Sequence, residues 1–261
     1  MQKHIKLNKE KRLILATEGT NLKSVNTVIT EKHNDFCIKA DALRNKNAYK
    51  DAAKNYLNAI LIDRNDAKAY YGLGICYKYL EDYAKAIKYL DKAAELDNEY
   101  YEAFFELGVC HLSEGIPCGA IKNFVRAIQI NPDKPEAILQ LGISHELCAE
   151  YDMALMVYQK LIENSPGFLK AYEHKSTLLM KLDRYKDAAK ILNELLQLNP
   201  EYYRAYAGIA ICFDKLGKTN EAQRYYRKFL LKKPFSHQAQ FVKNRLQKLK
   251  SVKNNHLKIV K

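Results

Sequence analysis

A chain of 261 residues, 48% of them apolar, is too long for a peptide hormone or a disulfide miniprotein, and with 28% charged and 11% aromatic residues it is too apolar to stay unfolded. Ten glycines and six prolines are too few for the turns of an all-β protein of this length, so a largely helical chain is expected. The net charge of +13 sits at the ends, with +4 in residues 1–32, +7 in residues 237–261 and only +2 between them, which is weak support for an anionic partner at the termini.

Residues 1–32 show no repeat and read as a basic, partly ordered extension with one helix near residues 21–31. The apolar run Leu13-Ile14-Leu15-Ala16 is too short for a signal-peptide core, and no run approaches the roughly 20 residues that span a bilayer, so a cytoplasmic protein is expected. From residue 33 the sequence repeats. Ala69, Ala103, Ala137, Ala171, Ala205 and Ala239 are spaced by 34 residues, as are Ala52, Ala86, Ala120, Ala154, Ala188 and Ala222 and the prolines 132, 166, 200 and 234.

Within one period, Tyr70, Leu73, Gly74 and Tyr77, then Ala86, Leu90, Ala93 and Leu96, recur at helical spacing, which predicts two amphipathic helices. The short polar segment Leu80-Glu81-Asp82, with counterparts near Gly115 and Gly217, separates them, and the proline column ends each second helix. Six periods follow: 33–66, 67–100, 101–134, 135–168, 169–202 and 203–236. Residues 237–250 predict a capping helix with Phe241, Val242, Leu246 and Leu249 on its apolar face, and residues 251–261 a basic disordered tail.

Tyr70, Leu73, Gly74, Tyr77, Ala86, Leu90 and Ala93 follow the pattern of the tetratricopeptide repeat family, which this sequence resembles over 204 residues. The resemblance implies an all-α fold, a right-handed α-α superhelical solenoid of helix pairs closed by the C-terminal capping helix. It also implies that the first helix of each pair lines a concave surface where partners lie.

Catalytic and cofactor signals are thin. Gly72-Leu73-Gly74 lacks a third glycine and falls inside a helix, His145-Glu146 is not closed by a second histidine because Ala149 stands there, and no Walker loop or G-x-S-x-G occurs. The cysteines 37, 76, 110, 118, 148 and 212 contain no C-x-x-C and read as reduced, buried small hydrophobes. His111 and His145, near Cys110, Cys118 and Cys148, share a column with Tyr77 and Phe213, so they read as aromatic replacements at a packing site. No enzyme activity, cofactor or metal is expected.

Read along the first helices, Tyr71, Ile75, Phe105, Val109, Leu139 and Ile143 form an apolar strip flanked by Glu102, Glu106, Glu136 and Gln140. An exposed strip of this kind needs a cover, and the reading it favours is a non-enzymatic adaptor or scaffold holding a peptide or amphipathic helix of another protein, apolar with basic groups. Acidic chaperone C-terminal tails are disfavoured, because the positions of the family's carboxylate clamp hold Cys37, Asp41, Gly72, Glu102 and Glu106. The asparagine ladder of the glycosyltransferase-type superhelices is absent as well. The alternative is nucleic acid or an anionic membrane at the basic end, through Arg204, Arg224, Arg227, Lys228, Lys232, Lys233, Lys243, Arg245, Lys248 and Lys250. Self-association through the apolar strip is a third reading.

Overall fold

Alanine marks where the helices cross. All twelve alanines of the two 34-residue columns are buried, none more than 2% exposed, because a methyl group lets two helix axes approach where a larger side chain would hold them apart. In the computed structural model, residues 22–259 are described, with side chains from Asn26 to Leu249. The chain is all-α, with thirteen helices and no strand among the described residues. The helices are α1 Leu22–Asn45, α2 Tyr49–Ile62, α3 Ala67–Tyr79, α4 Tyr83–Leu96, α5 Tyr101–Ser113, α6 Pro117–Ile130 and α7 Pro135–Leu147. They continue with α8 Tyr151–Asn164, α9 Leu169–Lys181, α10 Tyr185–Leu198, α11 Tyr203–Lys215, α12 Thr219–Lys232 and α13 His237–Ile259. None is long and apolar enough to cross a membrane.

Two compact units divide the chain, residues Met1–Pro132 and Asp133–Lys261. In the first, α1 to α3 enclose one core around Tyr56, Leu73 and Cys76, and the next core gathers Ile75, Leu90, Ala103 and Leu107. In the second, Tyr226 and Phe229 of α12 pack with Ala239, Val242, Leu246 and Leu249 of α13. The glycines sit opposite the largest of these side chains: a Cβ at Gly74 would lie 2.6 Å from Leu90 and one at Gly108 2.6 Å from Phe124, so neither helix can carry a side chain there without displacing its partner.

Each turn within a helix pair has the same construction. Asn47, Glu81, Gly115, Ala149, Asp183 and Gly217 all adopt the left-handed backbone conformation, with φ between 57° and 73°. The next residue's N–H reaches back to the carbonyl five positions earlier, as in Ala48 to Leu43 and Ile116 to His111, at 2.8–3.0 Å in all six turns. This is the Schellman arrangement, which satisfies the last carbonyls of the first helix. At the end of the second helices Asp63, Asp97 and Asn199 accept the N–H two residues on, at 2.9–3.0 Å, forming side-chain turns that start the link to the next pair.

Several expectations are corrected. The helix near residues 21–31 and the first repeat helix are one continuous element, α1, because no glycine or proline lies between Leu22 and Asn45. The capping helix extends past residue 250 to Ile259, so the segment expected as a disordered tail is helical as far as that residue; residues 260–261, and the extension over residues 1–21, lie outside the described residues. Phe241 is 62% exposed, since the positions 239, 242, 246 and 249 already fill the buried stripe and residue 241 points off it. Cys76, Cys110 and Cys212 are buried, but Cys37 and Cys148 are half-buried and Cys118 is exposed at the start of α6, outside the packed stripe of that helix.

Candidate functional site

In the first unit the first helices of successive pairs touch, α1 with α3 and α3 with α5, and their seam carries the aromatic residues singled out above. Tyr71 and Phe105 are half-buried. Tyr71 lies against Tyr100 with ring centroids 5.0 Å apart, while Phe105 stacks on Tyr101 at 5.9 Å and meets the buried Phe124 edge-on at 5.7 Å. Aromatic packing thus holds Tyr71 through one ring and Phe105 through two, at about 1 kcal/mol per pair, and both side chains stay partly exposed. Burial, and then the Glu106 carboxylate, push the Tyr71 phenol up, and burial takes Tyr100 to about 12, so both stay neutral at physiological pH.

Two residues of the expected apolar strip are buried, each within its own unit. Ile75 is 6% exposed because it turns into the α3–α5 seam beside Ala103 and Leu107, and Leu139 on α7, which α9 touches, is 5% exposed. Neither is a free anchor. Val109 on α5 and Ile143 on α7 are half-buried.

The charges beside the strip are also partly committed. Lys78 Nζ donates to Glu106 Oε2 at 2.7 Å, with both side chains less than a fifth exposed, so Glu106 is neutralised from within the unit. The same ammonium lies 4.9 Å from the Tyr79 ring, which stacks on Tyr49 at 4.6 Å and 7°. This group, with Arg44 and Tyr71, lines a cleft of about 340 Å³. Glu102 and Glu136 are exposed and Gln140 is half-buried on its own helix. Arg44, Lys78 and Tyr79 were not among the residues singled out from the sequence; continuing the Tyr71, Ile75 spacing by one more turn leads to Tyr79 and would have found the cleft.

At the basic end much of the charge has a partner. Arg204 reaches Glu173 at 3.2 Å, Lys232 pairs with Glu201, and Arg245 holds Asp214. Lys228 and Lys233 lie 5.1 Å from the ring centroids of Tyr225 and Tyr203. Arg224, Arg227, Lys243 and Lys248 are exposed, and the side chain of Lys250 lies outside the described residues. Tyr226 and Phe229 are buried, so neither can stack on a base, and Tyr225 is half-buried with Tyr206 and Phe213 beside it. The two column histidines do different things: buried His145 sits 2.6 Å from Glu150 through Nδ1, whereas His111 has a buried Nδ1 without a hydrogen-bond partner, packed beside Gly119.

Residues 67–100, 136–167 and 179–246 each match the tetratricopeptide repeat family. Solved structures share the fold at low identity. YrrB, described as a TPR protein with an unusual peptide-binding site, is 18% identical, covers 74% of this chain and 99% of its own, and superposes with a TM-score of 0.59. MamA from Desulfovibrio magneticus RS-1 is 19% identical over 66% of this chain and 97% of its own, with a TM-score of 0.61. PilF from Pseudomonas aeruginosa is 15% identical over 83% of this chain and 99% of its own, with a TM-score of 0.62. No curated protein matches the sequence.

Proposed function

The chain belongs to the tetratricopeptide repeat family, and from that premise we propose that it is a non-enzymatic protein-interaction scaffold whose N-terminal unit seats a peptide or helix of a partner on the face carrying Tyr71 and Phe105. The observation that carries this reading is the pair of half-buried aromatic rings, each packed against other rings, of which Tyr71 also lines the cleft shared with Arg44, Lys78 and Tyr79. Rigid aromatic anchors with open faces dominate binding energies, at about 2 kcal/mol or more each, because their burial costs little side-chain entropy. The description of YrrB as peptide-binding supports the same class of ligand.

The partner's chemistry is narrower than sequence alone suggests. Glu106 is neutralised by Lys78, so Glu102 is the carboxylate left exposed on this face, and it sits one turn from Phe105. A partner segment with apolar side chains and a basic group placed to reach Glu102 fits it. The test is affinity capture from nuclease-treated native lysate with wild type and with Tyr71→Ala/Phe105→Ala, followed by titration of the captured partner's segment. The expected result is a specific protein whose affinity falls at least about tenfold in the variant while the melting midpoint stays close to wild type. A partner that binds the folded variant as tightly as wild type overturns the site, and a rise in mass with concentration by light scattering would identify self-association instead.

A further inference from the structure

Donor atoms suited to a metal converge away from the aromatic face. His33 and Cys37 stand one turn apart on α1 and so project from the same side of it, and Asp66, the N-cap of α3, meets them from across the helix interface. His33 Nε2 is 3.1 Å from Asp66 Oδ2, and Cys37 Sγ is 3.7 Å from that oxygen and 3.8 Å from the imidazole nitrogen. A tetrahedral zinc ion, with bonds of about 2.0 Å to nitrogen and oxygen and about 2.3 Å to sulfur, holds its ligand atoms roughly 3.3–3.6 Å apart. The triangle therefore already has the size of one face of that tetrahedron, and nitrogen, sulfur and carboxylate oxygen are the donor types zinc takes.

Two further features suit a cation. The other oxygen of Asp66 accepts the N–H groups of Lys68 and Ala69 at 2.9 and 3.1 Å, which fixes the carboxylate's orientation and leaves Oδ2 turned to the triangle. Asp66, Asp41 and Asp63 make the surroundings of Cys37 negative, and its thiol donates weakly to Asp66. A divalent ion in the triangle would displace the thiol proton to solvent, the thiolate would bind the ion, and the neutral imidazole would bind through Nε2.

We propose that His33 Nε2, Cys37 Sγ and Asp66 Oδ2 form a zinc-type metal site, completed by water, that clips α1 to the start of α3. The competing reading is that the same side chains make an ion pair and a thiol hydrogen bond that tie the helices without a metal.

The test uses the full chain, stripped with chelator and titrated with Co(II), then with Zn(II) in competition. Cys37→Ser, Asp66→Asn and Cys118→Ser are compared with wild type; asparagine is a good N-cap, so Asp66→Asn keeps the helix start. Expected are a thiolate-to-cobalt charge-transfer band at a single equivalent, displaced by zinc, and a melting midpoint that zinc raises. The band disappears in Cys37→Ser and zinc binding weakens by more than about a hundredfold in Asp66→Asn, beyond the roughly 10–100-fold that losing an outer-shell partner typically costs. Cys118→Ser behaves as wild type. Absence of the band, its survival in Cys37→Ser, or unchanged zinc affinity in Asp66→Asn overturns the site and leaves the metal-free tie.

Discussion

The Arg245 guanidinium on α13 donates two hydrogen bonds to the Asp214 carboxylate on α11, from Nε at 2.6 Å and from Nη2 at 2.7 Å. Tyr226 of α12 adds a third to the same carboxylate at 3.2 Å, so one acidic group joins the last three helices. The fork from Arg245 holds the Asp214 carboxyl below its usual range, with Tyr226 adding to the effect. A depressed folded pKa gives stability that is present above the ordinary carboxylate value near about 3.9 and is lost as pH falls through the lower folded value. Arg245→Leu is therefore expected to destabilise the protein by about 1–2 kcal/mol at neutral pH, allowing for the exposure of the arginine, and to blunt the acid-side loss of stability. Thermal melts of wild type and variant from pH 7 to pH 2 check this; superimposable curves would show the fork to be worth nothing.

Gly108 faces Phe124, which is fully buried. An alanine there gains about 1 kcal/mol of helix propensity but must push a packed ring aside, a cost of about 1–3 kcal/mol. Gly108→Ala is expected to lower the melting midpoint, whereas the same change at Gly208, which faces the end of the more flexible Leu192 side chain, should cost less. Equal effects at the two positions would mean that the glycines are not set by close packing.

Ala149 is the misfit of the turn column, a side chain with no polar group in a left-handed conformation that Gly115 and Gly217 adopt freely. That conformation costs an alanine about 1 kcal/mol, so Ala149→Gly is expected to stabilise the chain by about 0.5–1 kcal/mol and Gly115→Ala to destabilise it by a similar amount. Denaturant titration of the two variants measures both; a loss of stability in Ala149→Gly would falsify the backbone argument.

The all-α fold and its helix pairs are legible in the sequence because a helix crossing imposes a steric requirement on one residue: alanine recurs wherever axes approach, and Gly74 and Gly108 recur where Leu90 and Phe124 must enter. The turns are half legible. Gly115 and Gly217 announce a left-handed residue and Asn47 and Asp183 are compatible with one, while Glu81 and Ala149 adopt the same conformation under side chains that give no such signal. The binding face is the least legible part, since a column of residues gives an angle around a helix but not the distance to the next one. Ile75 and Tyr71 are one turn apart, yet the α3–α5 seam closes over the first and leaves the second partly open. Lys78 and Glu106 are similarly 28 residues apart in sequence and meet only because two first helices lie side by side.

The length of α1 has a further consequence. With 24 residues against 13 in α3 and α5, it is about 16 Å longer than the other first helices of its unit. Residues 26–35 are exposed apart from Ile29 and His33, which are half-buried, so this stretch draws little from the stacking that holds the repeats. A helix of that kind stands close to its own helix–coil balance. Local opening of the stretch before His33, where the tie to Asp66 begins, is therefore expected to cost less than unfolding a repeat.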